Sequence, residues 1–319
     1  MGIFLHLLIL LSLKLTRFSK MKKLIKTFSI TLSSIILILV LFVIGVGVFI
    51  HKTLEKKTHE NIPYIQSIRM FLTANFEGKT EKALKENRLK EKYHNITIYY
   101  PNDFSELIPI TKETLDWAIN KNKKVFGKVE VKPVDLIVFK DKKELQELSG
   151  LIDVSGFYSD FDKLIAIKYD DIESILERKE TPLYFFQKSI LHEYTHYIFS
   201  QMVAGSKAGA SAYPLWFNEG IAEYIGNDKT IVEPSNFKVV SFDSLYDGEQ
   251  WQTARYQDGT NVYMESYFAI KYLVDNYGEG IIKEIINLTN SSGKFEESFE
   301  KTTGITLFDL EDKFMSSYK

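Results

Sequence analysis

The chain has 319 residues, 45% hydrophobic, 14% aromatic and 26% charged, an ordinary globular composition that excludes a disordered, collagenous or low-complexity protein. Residues 1–50 hold six cations (Lys14, Arg17, Lys20, Lys22, Lys23, Lys26) and no acid, so the formal net charge of −2 conceals a remainder with 34 cations against 42 anions. That remainder has the wrong sign to neutralise phosphates, which argues against nucleic acid as a partner.

From Phe28 to Ile50 the sequence FSITLSSIILILVLFVIGVGVFI is uncharged. At about 1.5 Å per helical residue such a stretch crosses a roughly 30 Å hydrocarbon core, and a soluble helix of this length would show a polar face, so it reads as a transmembrane helix. A cleaved signal peptide is the competing reading, but the apolar run is long for one and no small-x-small site precedes His51. Six cations precede the span, against Lys52, Lys56 and Lys57 just after it, which places residues 1–27 in the cytoplasm as a basic N-terminus. The expectation is a single-pass protein of the cell membrane with an extracytoplasmic domain. The earlier run Phe4 to Leu13 is too short to span, and Met21 opens MKKLIK in the charged style of a translation start, making residues 1–20 a candidate mis-assigned extension.

Residues 51–93 are polar and rich in Lys and Glu, and read as a stalk or linker helix ahead of a domain at 94–319. Alternation in Ile96 to Tyr100 and the β-branched run Val129 to Phe139 predict strands, with a helix from Thr111 to Phe126 between them, stopped by Gly127. Phe157 to Ser159 and Leu164 to Tyr169 read as two closely joined short strands. Helical patterns follow at 183–203, 214–225, 262–277, 279–288 and 306–317. Strands first and helices afterwards predict an α+β fold, a small mixed sheet followed by a helical lobe.

With no cysteine in the chain, disulfides, a thiolate nucleophile and Cys-ligated zinc are excluded, and any metal must sit on His, Asp or Glu. Pro182 heads a helical segment that contains His192, Glu193 and His196 as HEYTH. Four residues advance a helix by about 400°, so His192 and His196 share a face and can bind one metal ion, while Glu193, offset by about 100°, can reach a water on that metal. A hydrolytic zinc takes three protein ligands and keeps one position for water. The six histidines are His6, His51, His59, His94, His192 and His196, so none follows the motif and the third ligand must be acidic. The next helical segment, PLWFNEGIAEY, offers Glu219 and Glu223 one turn apart, Glu219 as the natural ligand and Glu223 placed to hold a ligand histidine's ring N–H.

At HEYTH and WFNEGIAEY the sequence resembles the gluzincin zinc metallopeptidases, in particular membrane-anchored peptidase MA-like domains related to aminopeptidase N and thermolysin. The resemblance runs over residues 96–317 and includes VYMESYFAIKYLVDNYG after the motif. It implies Zn2+ held by His192, His196 and Glu219, with Glu193 as general base. It also implies a thermolysin-like catalytic domain acting on a peptide or protein substrate. Two departures limit the transfer. Twenty-two residues separate His196 from Glu219, slightly more than in the aminopeptidases, and no GxMEN-type motif is present, so aminopeptidase activity does not carry over.

Chemically, Glu193 takes a proton from water activated by the metal and returns it to the leaving amine, and the tetrahedral oxyanion needs a further donor. Tyr263 sits where the resemblance places a stabilising tyrosine, with Tyr267 and Tyr256 as alternatives. By analogy, an extended substrate adds as a strand along Leu164, Ile165, Ala166 and Ile167, an ordinary core strand being the equal alternative. The pairs Asp160 with Asp162 and Asp170 with Asp171 lack calcium-loop spacing and read as solvated turns. Two other functional readings stand beside the peptidase. One is a catalytically silent relative acting as a binding or sensor module, which the intact Glu193 weighs against. The other is a zinc hydrolase of cell-wall amides.

Overall fold

A computed structural model describes residues 2–58, 61–73 and 76–318, with side chains described from residue 26 onward apart from Thr58. The basic side chains before Lys26, with His6 and His59, lie outside the described residues. The chain divides into two compact units, residues 1–77 and 78–319.

In the first unit, α1 (Gly2–Thr58) is one continuous helix, and its stretch Lys26–Lys57 is long and apolar enough to cross a membrane. Side chains from Phe28 to Phe49 are mostly exposed, Phe49 by 71%. The helix α2 (Tyr64–Thr73) folds back on α1. Leu54 and Ile62 are buried there, and His51 Nδ1 lies 3.0 Å from Ser67 Oγ.

The second unit opens with α3 (Lys79–Glu86) and β1 (Leu89–Tyr93), followed by β2 (Ile96–Tyr100), α4 (Ile108–Phe126), β3 (Val134–Phe139), α5 (Lys142–Ser149), β4 (Gly156–Ser159) and β5 (Leu164–Lys168). The sheet runs β1-β2-β3-β5-β4, with β2, β3 and β5 parallel and both edges antiparallel. Its two faces are filled alternately. Ile96, Ile98, Val134, Leu136, Val138, Ile165 and Ile167 join the main core, while Ile137, Phe139, Leu164 and Ala166 pack with Leu145 of α5 on the other side. A central strand buried on both faces explains the unbroken apolar run of β3.

Helices then dominate: α6 (Ile172–Leu176), α7 (Glu180–Val203), α8 (Leu215–Gly226), α9 (Gly248–Arg255), α10 (Val262–Tyr277), α11 (Gly280–Ser292), α12 (Phe295–Thr303) and α13 (Leu307–Lys313). The expected α+β order holds. Helix α7 lies across α4 and the β4/β5 end of the sheet, and its other flank meets α8. Helix α8 is pressed against α10 at Gly220, where a Cβ would come within 2.5 Å of the Ser266 carbonyl oxygen, so only glycine permits this approach. Trp216 stacks on Phe242 with ring centroids 4.1 Å apart and helps fix α8 from below.

Several expectations are corrected. Residues 89–93, inside the stretch read as stalk, form an edge strand whose charged alternation LKEKY suits exposure and hides its pairing. The strand expected from Val129 begins only at Val134, because Pro133 has no N–H to give a ladder. Leu164, Ile165, Ala166 and Ile167, expected to offer an edge to an extended substrate, lie instead in an interior strand that pairs with β3 on one side and β4 on the other, all four nearly or fully buried. The edge beside α7 is β4.

Candidate metal centre

Helix α7 is long, with ten of its 24 residues buried, and it presents His192 and His196 one turn apart toward α8. Their Nε2 atoms lie 3.0 Å from each other and 3.4 and 3.5 Å from Glu219 Oε2 on α8. A tetrahedral zinc ion with bonds of about 2.0–2.2 Å holds its ligand atoms roughly 3.3–3.6 Å apart, so the donors suit such an ion in type, the two His–Glu separations match it, and the His–His separation is about 0.3 Å shorter. Side-chain exposures of 12% for each histidine and 16% for Glu219 leave the cluster open on one side only.

The second nitrogen of each ring is already engaged. His192 Nδ1 is 3.1 Å from Glu223 Oε1, and His196 Nδ1 is 3.2 Å from Asn218 Oδ1. Both Nδ1 atoms therefore serve as donors and both Nε2 lone pairs face the common point. Glu223 is held in turn by Lys188 Nζ at 2.7 Å and by Asn227 Nδ2 at 3.1 Å.

The electrostatics call for positive charge at that point. Burial alone would lower the His192 pKa, yet hydrogen bonds to Glu219 and Glu223 drive it up to about 10. His196 is likewise raised, against burial, by the Glu219 charge. Glu219 and Glu223 are driven down against burial, Glu219 chiefly by the charge of His196 and its bond to His192, Glu223 chiefly by its bond to His192. Three carboxylates thus surround two imidazoles, an excess of negative charge that a divalent cation would relieve.

Glu193 lies close to the same point, and with His192 and His196 it forms a group that could hold a metal ion. One oxygen of it lies within 4.8 Å of a ring nitrogen on each histidine, but its carboxylate accepts no hydrogen bond from any described residue. Burial raises its pKa, with the two histidines opposing. Gly156, at the start of β4, makes room for it: a Cβ there would sit 2.9 Å from Glu193 Oε1 and 2.8 Å from the Ala166 carbonyl oxygen. A cleft of about 450 Å³ opens over these groups, walled by β4, α7, α9 and α10.

Of the three tyrosines considered, Tyr263 lines this cleft, its ring 6.5 Å from that of His192 and edge-on to Trp251 at 5.2 Å. Tyr267 is buried against Phe268, and Tyr256 is 60% exposed and outside the cleft lining. Asn218, Lys188, Asn227 and Gly156 were not singled out from sequence. The first three carry a usable signal, since Asn218 adjoins Glu219 and the other two lie one helical turn from His192 and Glu223. Asp160 is paired with Lys163, Asp162 with Ser159, and Asp171 caps α6, in keeping with the turn reading.

The profile of the peptidase MA superfamily matches residues 114–319, which include every group described above, and the chain belongs to that family. It is 36% identical over 242 residues, 76% of this chain and 75% of the relative, to the uncharacterized protein YhcO of Bacillus subtilis strain 168. Among solved structures, Legionella pneumophila aminopeptidase A in complex with aspartic acid is similar at a TM-score of 0.44 and 14% identity, over 72% of this chain. The match spans 28% of that larger protein. Membership of this family suggests a peptidase.

Proposed function

We propose that the protein is a membrane-anchored, extracytoplasmic zinc metallopeptidase of the gluzincin type that hydrolyses peptide bonds. The observation that supports this most strongly is the convergence of His192, His196 and Glu219, whose donor atoms lie 3.0–3.5 Å from one another, with Glu193 beside them and free of hydrogen bonds from the described residues. Zinc, when bound, supplies Lewis acidity that lowers the pKa of water and polarises a carbonyl. Glu193 removes the water proton as the oxygen adds to the carbonyl carbon, and delivers it to the amine nitrogen as the C–N bond breaks. The Tyr263 hydroxyl donates to the oxyanion. Glu223 and Asn218 keep the imidazoles in one tautomer and orientation. An extended substrate pairs with β4, the sheet edge on the cleft wall.

The full chain should cleave members of a random peptide library, lose that activity on chelation and regain it with added zinc. Wild-type protein that binds zinc yet cleaves no peptide would favour the binding-module reading or the cell-wall amide reading, and a panel of cell-wall amides separates those two.

The membrane reading rests on the Lys26–Lys57 stretch and the cations before it. Protease added to intact cells should release a fragment containing residues 78–319. A fragment protected until lysis would reverse the topology.

A further inference from the structure

Among the described residues, the cleft is lined by one Lys or Arg side chain that the metal site does not use. Arg255, the last residue of α9, lines the cleft together with His192, Glu193 and Tyr263, and is the one Lys or Arg among its lining residues. Its Nη2 donates to the Asp153 carbonyl at 2.6 Å, and its guanidinium carbon lies 5.5 Å from the ring centroids of both Tyr256 and Tyr263. A backbone carbonyl and two rings hold the group in place, and the Asp153 carboxylate, which feels the Arg255 charge, is itself paired with Lys142 at 2.5 Å. The other two arginines of residues 78–319 are each bonded to a carboxylate, Arg88 to Glu144 at 2.7 Å and Arg178 to Glu113 at 2.6 Å. Arg255 forms no ion pair with a carboxylate among the described residues. Asp160, the one acid of the cleft wall outside the metal cluster, is already engaged by Lys163 at 2.6 Å and by the Tyr158 hydroxyl at 2.9 Å.

A guanidinium presents five N–H donors in a planar fork that matches a carboxylate, and only one of them is committed here. A substrate carboxylate gains charge attraction and forked hydrogen bonds at the Arg255 wall. The Tyr263 ring that Arg255 faces stands 6.5 Å from the His192 ring. With about 3.3–3.6 Å per extended residue, the guanidinium lies within about three residues of a bond held at the metal site.

We propose that Arg255 is a specificity-determining residue that binds a substrate carboxylate, from an acidic side chain or a free C-terminus, within about three residues of the cleaved bond. The proposal rests on the peptidase reading, and its test reads binding instead of turnover. Full-chain protein carrying Glu193→Gln is titrated with peptides of one sequence. Each has Glu or Gln at one of six central positions and a free or amidated C-terminus.

At least one carboxylate peptide should bind about 10- to 100-fold more tightly than its uncharged counterpart. Whether the Glu arm or the free C-terminus arm shows the gain identifies the source. The ratio should fall to within about twofold in Arg255→Met, which keeps the bulk against Tyr263, and recover in part in Arg255→Lys. Equal affinity for all peptides, no binding of any, or a preference that survives in Arg255→Met would overturn the proposal. Continued hydrolysis by Glu193→Gln protein would count against the catalytic role of Glu193 and leave the affinity ratio to judge Arg255.

Discussion

Replacing Glu193 with glutamine is expected to keep the metal bound and to lower turnover by about 100- to 10,000-fold, the usual worth of a positioned general base. Glutamine has the same shape, so it fits the space that Gly156 leaves against Glu193 and does not disturb the packing of α7 on β4. It cannot accept a proton. Because His192, His196 and Glu219 are untouched, metal content should match wild type, and the loss should appear in kcat with little change in KM. Loss of the metal along with the activity would mean that Glu193 is a ligand. Retained wild-type hydrolysis, with contaminating protease excluded, would remove it from the mechanism.

Tyr263→Phe is expected to cost about 100- to 1,000-fold in turnover, the effect of deleting one preorganised oxyanion donor. Only the hydroxyl is lost. The ring keeps its contacts with Trp251 and its place beside His192, so folding and metal content should be unchanged. Tyr267→Phe and Tyr256→Phe serve as controls, since one ring is buried away from the cleft and the other faces solvent. Turnover measured on all three decides the matter. If Tyr263→Phe behaves as wild type while either control loses activity, the donor has been assigned to the wrong residue.

The centre was legible because its signal is local. His192 and His196 share a face by the helical period alone, and Glu219 and Glu223 repeat that spacing on the next helix. The structure places these residues on α7 and α8, and the expected span of α10 agrees with the observed one. What sequence reading lost is of two kinds. Short helices were missed although their boundaries were written in the chain: Asp141 and Gly150 cap α5, and Asp247 with Gln250 makes a capping box for α9. Without α9 there was no reason to bring Arg255 or Trp251 to the cleft. The order of strands in the sheet was lost for a different reason, because edge position is set by pairing between distant segments. Even so, LIAI is apolar at every position, which is the mark of a strand covered on both faces, whereas the half-exposed GFYS of β4 has the character of an edge.

A zinc site built from His192, His196 and Glu219 fixes the metal content of the purified full chain, which emission spectroscopy reads beside that of a His192→Ala, His196→Ala double variant. The wild type should hold about one zinc per chain and the double variant close to none, with both proteins folded. Full occupancy in the double variant, or a folded wild-type protein that takes up no zinc when the ion is supplied, would contradict this zinc site.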